Sequence, residues 1–156
     1  MLKPEFLRLA IELSREKMEA NEGGPFGAVI VRSDKIVGRG WNRVTSTNDP
    51  TAHAEVVAIR DACQQVKDFM LSGCELYTSC EPCPMCLAAI YWSRLDRVYF
   101  ASTALDAAAA GFDDQHIYRE LALPMDQRAI PMQQALRDEA NLVFAEWLKK
   151  EDRIVY

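Results

Sequence analysis

A chain of 156 residues with 49% hydrophobic content is the size of one ordinary domain, long enough to bury about two-thirds of its unfolded surface. A net charge of -5 and a pI near 5.1 argue against a long nucleic-acid footprint, which rests on clustered Lys and Arg, although a local basic patch can survive an acidic total. No apolar run approaches the roughly 20 residues that span a bilayer, and the start, MLKPEFLRLAIELSREK, scatters acids where a signal peptide has a continuous apolar core. A soluble, cytoplasmic protein without a membrane or nucleic-acid partner is expected.

The spacing predicts an amphipathic helix from Pro4 to about Asn21, with Phe6, Leu9, Leu13 and Met18 near one face, ended by the glycines of EGG. AVIVRSDKIVGRGWN reads as a hairpin turning at Ser33 to Lys35, and RVTSTNDP as a polar loop. Asp49 and Pro50 resemble an N-cap and a first-turn proline, which predicts a helix over TAHAEVVAIRDACQQV. CELYTS is expected as a strand, PMCLAAIYWSR as a helix opening beside Pro84, and RVYFAS as a second strand. Strand, helix, strand in that order calls for a parallel pair. Helical turns from about Leu105 to Leu121, a strand in RAIPMQQA and a helix from about Asp138 to Lys150 complete the pattern. The whole predicts an α/β fold, a three-layer αβα sandwich on a mixed sheet.

Within SCEPCPMC, Cys80, Cys83 and Cys86 crowd together in a chain whose cysteine count of 5 is odd. That pattern suits reduced thiols for metal or redox chemistry better than a disulfide framework. Cys83 and Cys86 fall at a helix start, where thiolates are favoured. By itself CxxC fits a redox pair, half of a structural zinc site, or part of a catalytic one. HAE, His53 to Glu55, opens the other helix, and helix starts after neighbouring parallel strands lie at the same sheet edge. One imidazole and two thiolates leave a zinc ion an open position, the sign of a catalytic site. Glu55 can accept a proton from water activated there, provided that His53 sits in an irregular first turn. His53 could alternatively be a satisfied, partly buried histidine and Glu55 a dipole complement. Cys80 reads as a buried neighbour, because a fourth sulfur would close the metal. Cys63 and Cys74 read as core, and His116 as surface or packing.

HxE with PCxxC is the signature of zinc nucleobase deaminases. With GGPFGAVIV, NDPTAHAEV, LYTSCEPCPMCLAAIYW, AGFDD and a terminal tyrosine, the chain resembles bacterial guanine deaminases of the cytidine-deaminase-like superfamily from end to end. The resemblance implies a mixed five-stranded sheet in a single domain spanning 1–156. It implies one Zn2+ per active site and a homodimer in which the segment from about 138 to 156 is exchanged. It implies hydrolytic deamination of guanine at C2 to xanthine and ammonia, with Glu55 shuttling protons. It further implies that Phe26 stacks on the purine, Asn42 bonds its polar edge, Asp114 reads its N-H groups, Trp92 lines the pocket and Tyr156 closes the partner's site.

Residue chemistry bears on each of these. Phe26 follows GGP, where backbone can approach a base closely, though a core phenylalanine fits the same pattern. Asn42 can donate and accept at once, yet asparagine before a loop is ordinary turn chemistry. One of Asp113 and Asp114 is expected to cap the following helix. Tyr156 could equally be a frayed end. The alternatives are a deaminase of cytosine, a guanosine-type nucleoside or transfer-RNA adenosine, and a non-catalytic structural zinc or redox CxxC module.

Overall fold

The computed structural model describes residues 1–156, which divide into two compact units, Met1–Tyr118 and Arg119–Tyr156. The first unit is built on four strands, β1 (Gly27–Arg32), β2 (Lys35–Trp41), β3 (Cys74–Cys80) and β4 (Arg97–Ser102), in the order β2-β1-β3-β4. β1 runs antiparallel to β2 and β3, while β3 and β4 are parallel, so the sheet is mixed. The hairpin turns on Ser33 and Asp34, both in the left-handed region with φ of 48° and 65°, the geometry that matches the twist of paired strands.

Helices cover both faces. α1 (Pro4–Glu19) starts with proline in its first turn, where a missing N-H costs nothing. Phe6, Leu7 and Leu9 pack over Val29, Val31 and Tyr77 on one side of the sheet. On the other side Ala28, Ile30, Cys74 and Leu76 meet Ala54, Ala58 and Ala62 of α3 (Ala54–Val66) and Ile90 of α4 (Pro84–Trp92). Alternation along β3 therefore sends Leu76 to the α3 side and Tyr77 to the α1 side. The result is the αβα sandwich expected from the sequence.

The contact between β2 and α3 is unusually close and depends on missing side chains. A Cβ on Gly40 would lie 2.1 Å from the Ala54 carbonyl oxygen and 2.3 Å from the Ala58 amide nitrogen. Glycine on the strand facing alanine on the helix lets the two backbones touch, and this draws the start of α3 down onto the sheet.

Several expectations are corrected. The sheet has four strands where the resemblance implied five, and RAIPMQQA forms none. Pro131 has no N-H for a ladder, and the Ala129 amide is taken by the Glu120 carboxylate at 2.7 Å. α3 begins at Ala54, with extended His53 as its N-cap, and Asp49 instead closes a turn by accepting from the Thr51 amide and hydroxyl. Within the expected loop, residues Val44–Thr47 make a short helix, α2. The helical stretch after β4 is broken at Gly111, φ 92°, into α5 (Ala104–Ala109) and α6 (Gln115–Ala122).

The second unit contains the second half of α6, a 3-10 turn at Met125–Gln127 and α7 (Arg137–Lys149). Leu142, Val143, Phe144 and Leu148 of α7 are exposed. No helix is long and apolar enough to cross a membrane.

Candidate active site

Two helix starts meet beyond the end of β3. His53 caps α3 with φ -71° and ψ 156°, and Cys83 caps α4 with φ -66° and ψ 168°, both extended. An N-cap lies outside the helical screw, so its side chain need not follow the 100° per residue of the turns behind it. That irregularity lets His53 and Glu55 share one site despite their separation of two.

His53 Nδ1 lies 3.5 Å from Cys83 Sγ and 3.5 Å from Cys86 Sγ. The three ligand atoms all fall within 4.8 Å of one another. A tetrahedral zinc with Zn-S of about 2.3 Å and Zn-N of about 2.05 Å separates nitrogen from sulfur by about 3.6 Å. The donor set thus fits zinc in both chemistry and spacing. Cys86 donates to Cys83, which with His53 holds the Cys83 thiol down to about 4, while the same bond and burial push Cys86 up. His53 is raised, first by its bond to Cys83. One thiolate is therefore present at neutral pH, and a cation would be met by a second.

His53 and Cys83 of the cluster line a cavity of about 340 Å³ together with Glu55, Phe26, Asn42, Phe112 and Asp114. Glu55 is 6% exposed, and burial raises its carboxyl above the usual range. Phe26 and Phe112 meet edge to face, with centroids 4.9 Å apart and planes at 88°, a favourable aromatic geometry. Asn42 Oδ1 accepts from the Gly24 and Val44 amides, both at 3.2 Å. Those bonds occupy its oxygen.

Asp113 Oδ1 accepts from the Gln115 amide at 2.9 Å, so this aspartate serves the start of α6. Asp114 keeps its carboxyl for the cavity, raised chiefly by burial and next by Cys83.

Not every expected residue comes here. Trp92 ends α4, nine residues beyond Cys83, and is 64% exposed. A rise of about 1.5 Å per residue carries it roughly 13 Å down the helix from the cluster, and it does not line this cavity. Tyr156 is exposed in the second unit. Cys80 lines the cavity but turns its sulfur to the Thr103 carbonyl at 3.6 Å, outside the three-atom cluster. His116 is exposed on α6. Phe112 was not assigned a role from sequence, although AGFDD places it beside the aspartates. Thr78 was also missed, and its hydroxyl donates to Glu55 Oε1 at 3.4 Å.

An αβα sandwich with an imidazole, two thiols and a buried carboxyl at its helix starts defines a zinc-dependent deaminase site. Residues 2–102 match the family described as the cytidine and deoxycytidylate deaminase zinc-binding region, and the chain belongs to that family. Among its relatives is the guanine deaminase of Bacillus subtilis (strain 168), 52% identical over 142 residues that cover 91% of each chain. The X-ray structure of guanine deaminase from Bacillus subtilis superposes with a TM-score of 0.97 at 49% identity, covering 100% of this chain and 99% of that one. The tRNA-specific adenosine deaminase of Aquifex aeolicus (strain VF5) is 35% identical over 150 residues, 96% of each chain.

Proposed function

We propose that this protein hydrolyses guanine to xanthine and ammonia. The observation that carries the assignment is a single cavity lined by His53 and Cys83 of the three-residue cluster and by Glu55 together with Phe26, Asn42 and Asp114. Identity of 52% to a guanine deaminase over 91% of the chain supports it.

Zinc, when bound, supplies the Lewis acid that makes water a nucleophile at neutral pH. His53 and the two cysteines would hold it, and their two negative charges offset its own, leaving a site that suits a neutral base. Phe26 offers a ring face for the purine. Asn42, its oxygen already occupied, donates to an acceptor such as a keto oxygen or an unprotonated ring nitrogen. Asp114 accepts from a purine N-H. Glu55 takes the proton released as water adds to C2 and delivers it to a ring nitrogen, giving a tetrahedral centre. It then carries the second water proton to the amino group; the C2-N bond breaks, ammonia leaves and xanthine remains.

We place the enzyme in the cytoplasm, a reducing compartment that keeps all five cysteines as thiols, with a purine as its small-molecule partner and no nucleic acid. We also propose a homodimer in which residues of about 138 to 156 are exchanged between copies and Tyr156 completes the partner's pocket. The exposed Val143, Phe144, Trp147 and Leu148, at the i, i+1, i+4 and i+5 positions of one face of α7, support this, since a helix face of that kind calls for a covering surface. Light scattering of the full chain and of a chain ending at residue 137 tests it: dimer for the first and monomer for the second are expected, and a monomeric full chain removes the exchange.

The function is tested by incubating the protein with guanine, cytosine, guanosine and transfer RNA while following ammonia and product. Xanthine and ammonia from free guanine are expected. Turnover of transfer-RNA adenosine without turnover of guanine would move the assignment to the activity named for the Aquifex relative.

A further inference from the structure

We propose that Thr78 is a positioning residue that tethers one oxygen of Glu55 so that the other remains directed at the reacting atoms. This rests on the deaminase assignment above for its kinetic consequence but not for its geometry.

Thr78 lies on β3, paired with Ala28 of β1 on one side and Phe100 of β4 on the other, inside the sheet and away from both edges. Alternation from Cys74 and Leu76, both in the cluster under α3, sends its side chain to the face that carries Glu55. Thr78 is 1% exposed and Glu55 6% exposed, so neither has bulk water as an easy alternative partner. The Thr78 hydroxyl is directed at Glu55 Oε1 at 3.4 Å, longer than the roughly 2.5 to 3.0 Å of a well-formed O–H···O bond, so it is a weak tether that a small shift of either side chain would tighten. Cys86 also interacts with the Glu55 carboxyl. A cysteine that ligates zinc is deprotonated and has no hydrogen to give. In the loaded enzyme Thr78 is then the side-chain donor left to Glu55.

The choice of residue is informative. A strand position buried at 1% ordinarily takes valine, which has the same branched shape and no hydroxyl to desolvate. Threonine carries a polar group there, and the stiff χ1 of a β-branched residue on an internal strand gives that group a fixed direction. A carboxylate that must take a proton from water and pass it to two different nitrogens needs one oxygen free and the other restrained. Thr78 supplies the restraint.

The test compares Thr78→Val and Thr78→Ser in zinc-loaded protein. Thr78→Val is expected to lower kcat by about tenfold to a hundredfold, the scale of a misplaced catalytic group, with KM within about threefold and zinc still near one per chain. Thr78→Ser, which keeps the hydroxyl, is expected to recover most of kcat. Equal losses in both variants would mean that the methyl group and packing matter instead, and an unchanged kcat in Thr78→Val would overturn the tether. Crystals of the zinc-loaded wild type and Thr78→Val decide independently of substrate. A Glu55 carboxyl that turns away or disorders in the valine variant supports the tether, whereas an unmoved Glu55 contradicts it. Failure of the guanine assay with a Glu55 that does move would reject the substrate and leave the tether standing.

Discussion

Replacing Asn42 by aspartate changes one group of the cavity from hydrogen-bond donor to acceptor with almost no change of shape. Asn42 is 8% exposed, and its Oδ1 is held by the Gly24 and Val44 amides at 3.2 Å each. Its backbone is pinned as well: the Asn42 amide donates to the Phe26 carbonyl at 3.0 Å. A Cβ on Gly23 would lie 1.9 Å from the Asn42 carbonyl oxygen, so the loop packs directly on it. Aspartate keeps both amide bonds, strengthened by charge, and the fold should be no less stable. What is lost is the NH2 group proposed above to face the substrate. A missing hydrogen bond costs about 0.5 to 1.5 kcal/mol, and an acceptor left opposite another acceptor away from water adds about 1 to 3 kcal/mol. The sum, roughly 2 to 4 kcal/mol, corresponds to a fall of about thirtyfold to a thousandfold in kcat/KM for guanine. Steady-state kinetics by ultraviolet absorbance, beside a thermal melt, measures both parts. A variant within threefold of wild type would refute the donor role, and one that melts well below wild type would show that Oδ1 does not anchor the loop.

Glu55→Gln should keep about one zinc per chain and lose at least a hundredfold in kcat, the lower range for a positioned proton carrier; retained turnover would remove Glu55 from the chemistry. Gly40→Ala should cost about 3 kcal/mol, or roughly 6 to 12 °C in Tm, because the new methyl meets three backbone atoms of α3 under 3 Å away; a melt within 2 °C of wild type would contradict the close contact. After zinc removal, alkylation of Cys83 by iodoacetamide should vary little between pH 6 and 8, because a thiol held down to about 4 is already ionised throughout that window. Cys63, raised by burial, should instead react about tenfold faster per pH unit, and the same slope at Cys83 would show that its thiolate is not stabilised.

The helix starts were legible in the sequence because they depend on local signals: proline after Cys83, an apolar helical period after His53, and an HxE to PCxxC pairing whose residue types have few other uses together. Asp49 misled because aspartate before proline serves a helix cap and a closed turn equally well, and only the run of hydrogen bonds from Thr51 distinguishes them. The break at Gly111 was hidden by the alanines before it, which favour continuing the helix. A strand in RAIPMQQA was read from the residues and matched the five strands the resemblance implied, over a segment where Pro131 and the Glu120 bond to Ala129 oppose pairing. Trp92 shares a helix with Cys83 and Cys86, but proximity in sequence along a helix becomes distance along its axis. Asn42 and Thr78 show the opposite case. What each does is set by partners 18 and 23 residues away, and no local pattern announces a long-range bond. Thr78 could have been suspected by counting two residues back from Cys80 along the inward row of β3.

X-ray absorption at the zinc edge of the purified protein tests the metal centre most directly. Two sulfurs at about 2.3 Å and two nitrogen or oxygen atoms at about 2.0 to 2.1 Å are expected, one of the latter being His53 and the other exchangeable. A shell of three or four sulfurs, drawing in Cys80, or a sample without zinc, would contradict an open three-residue site.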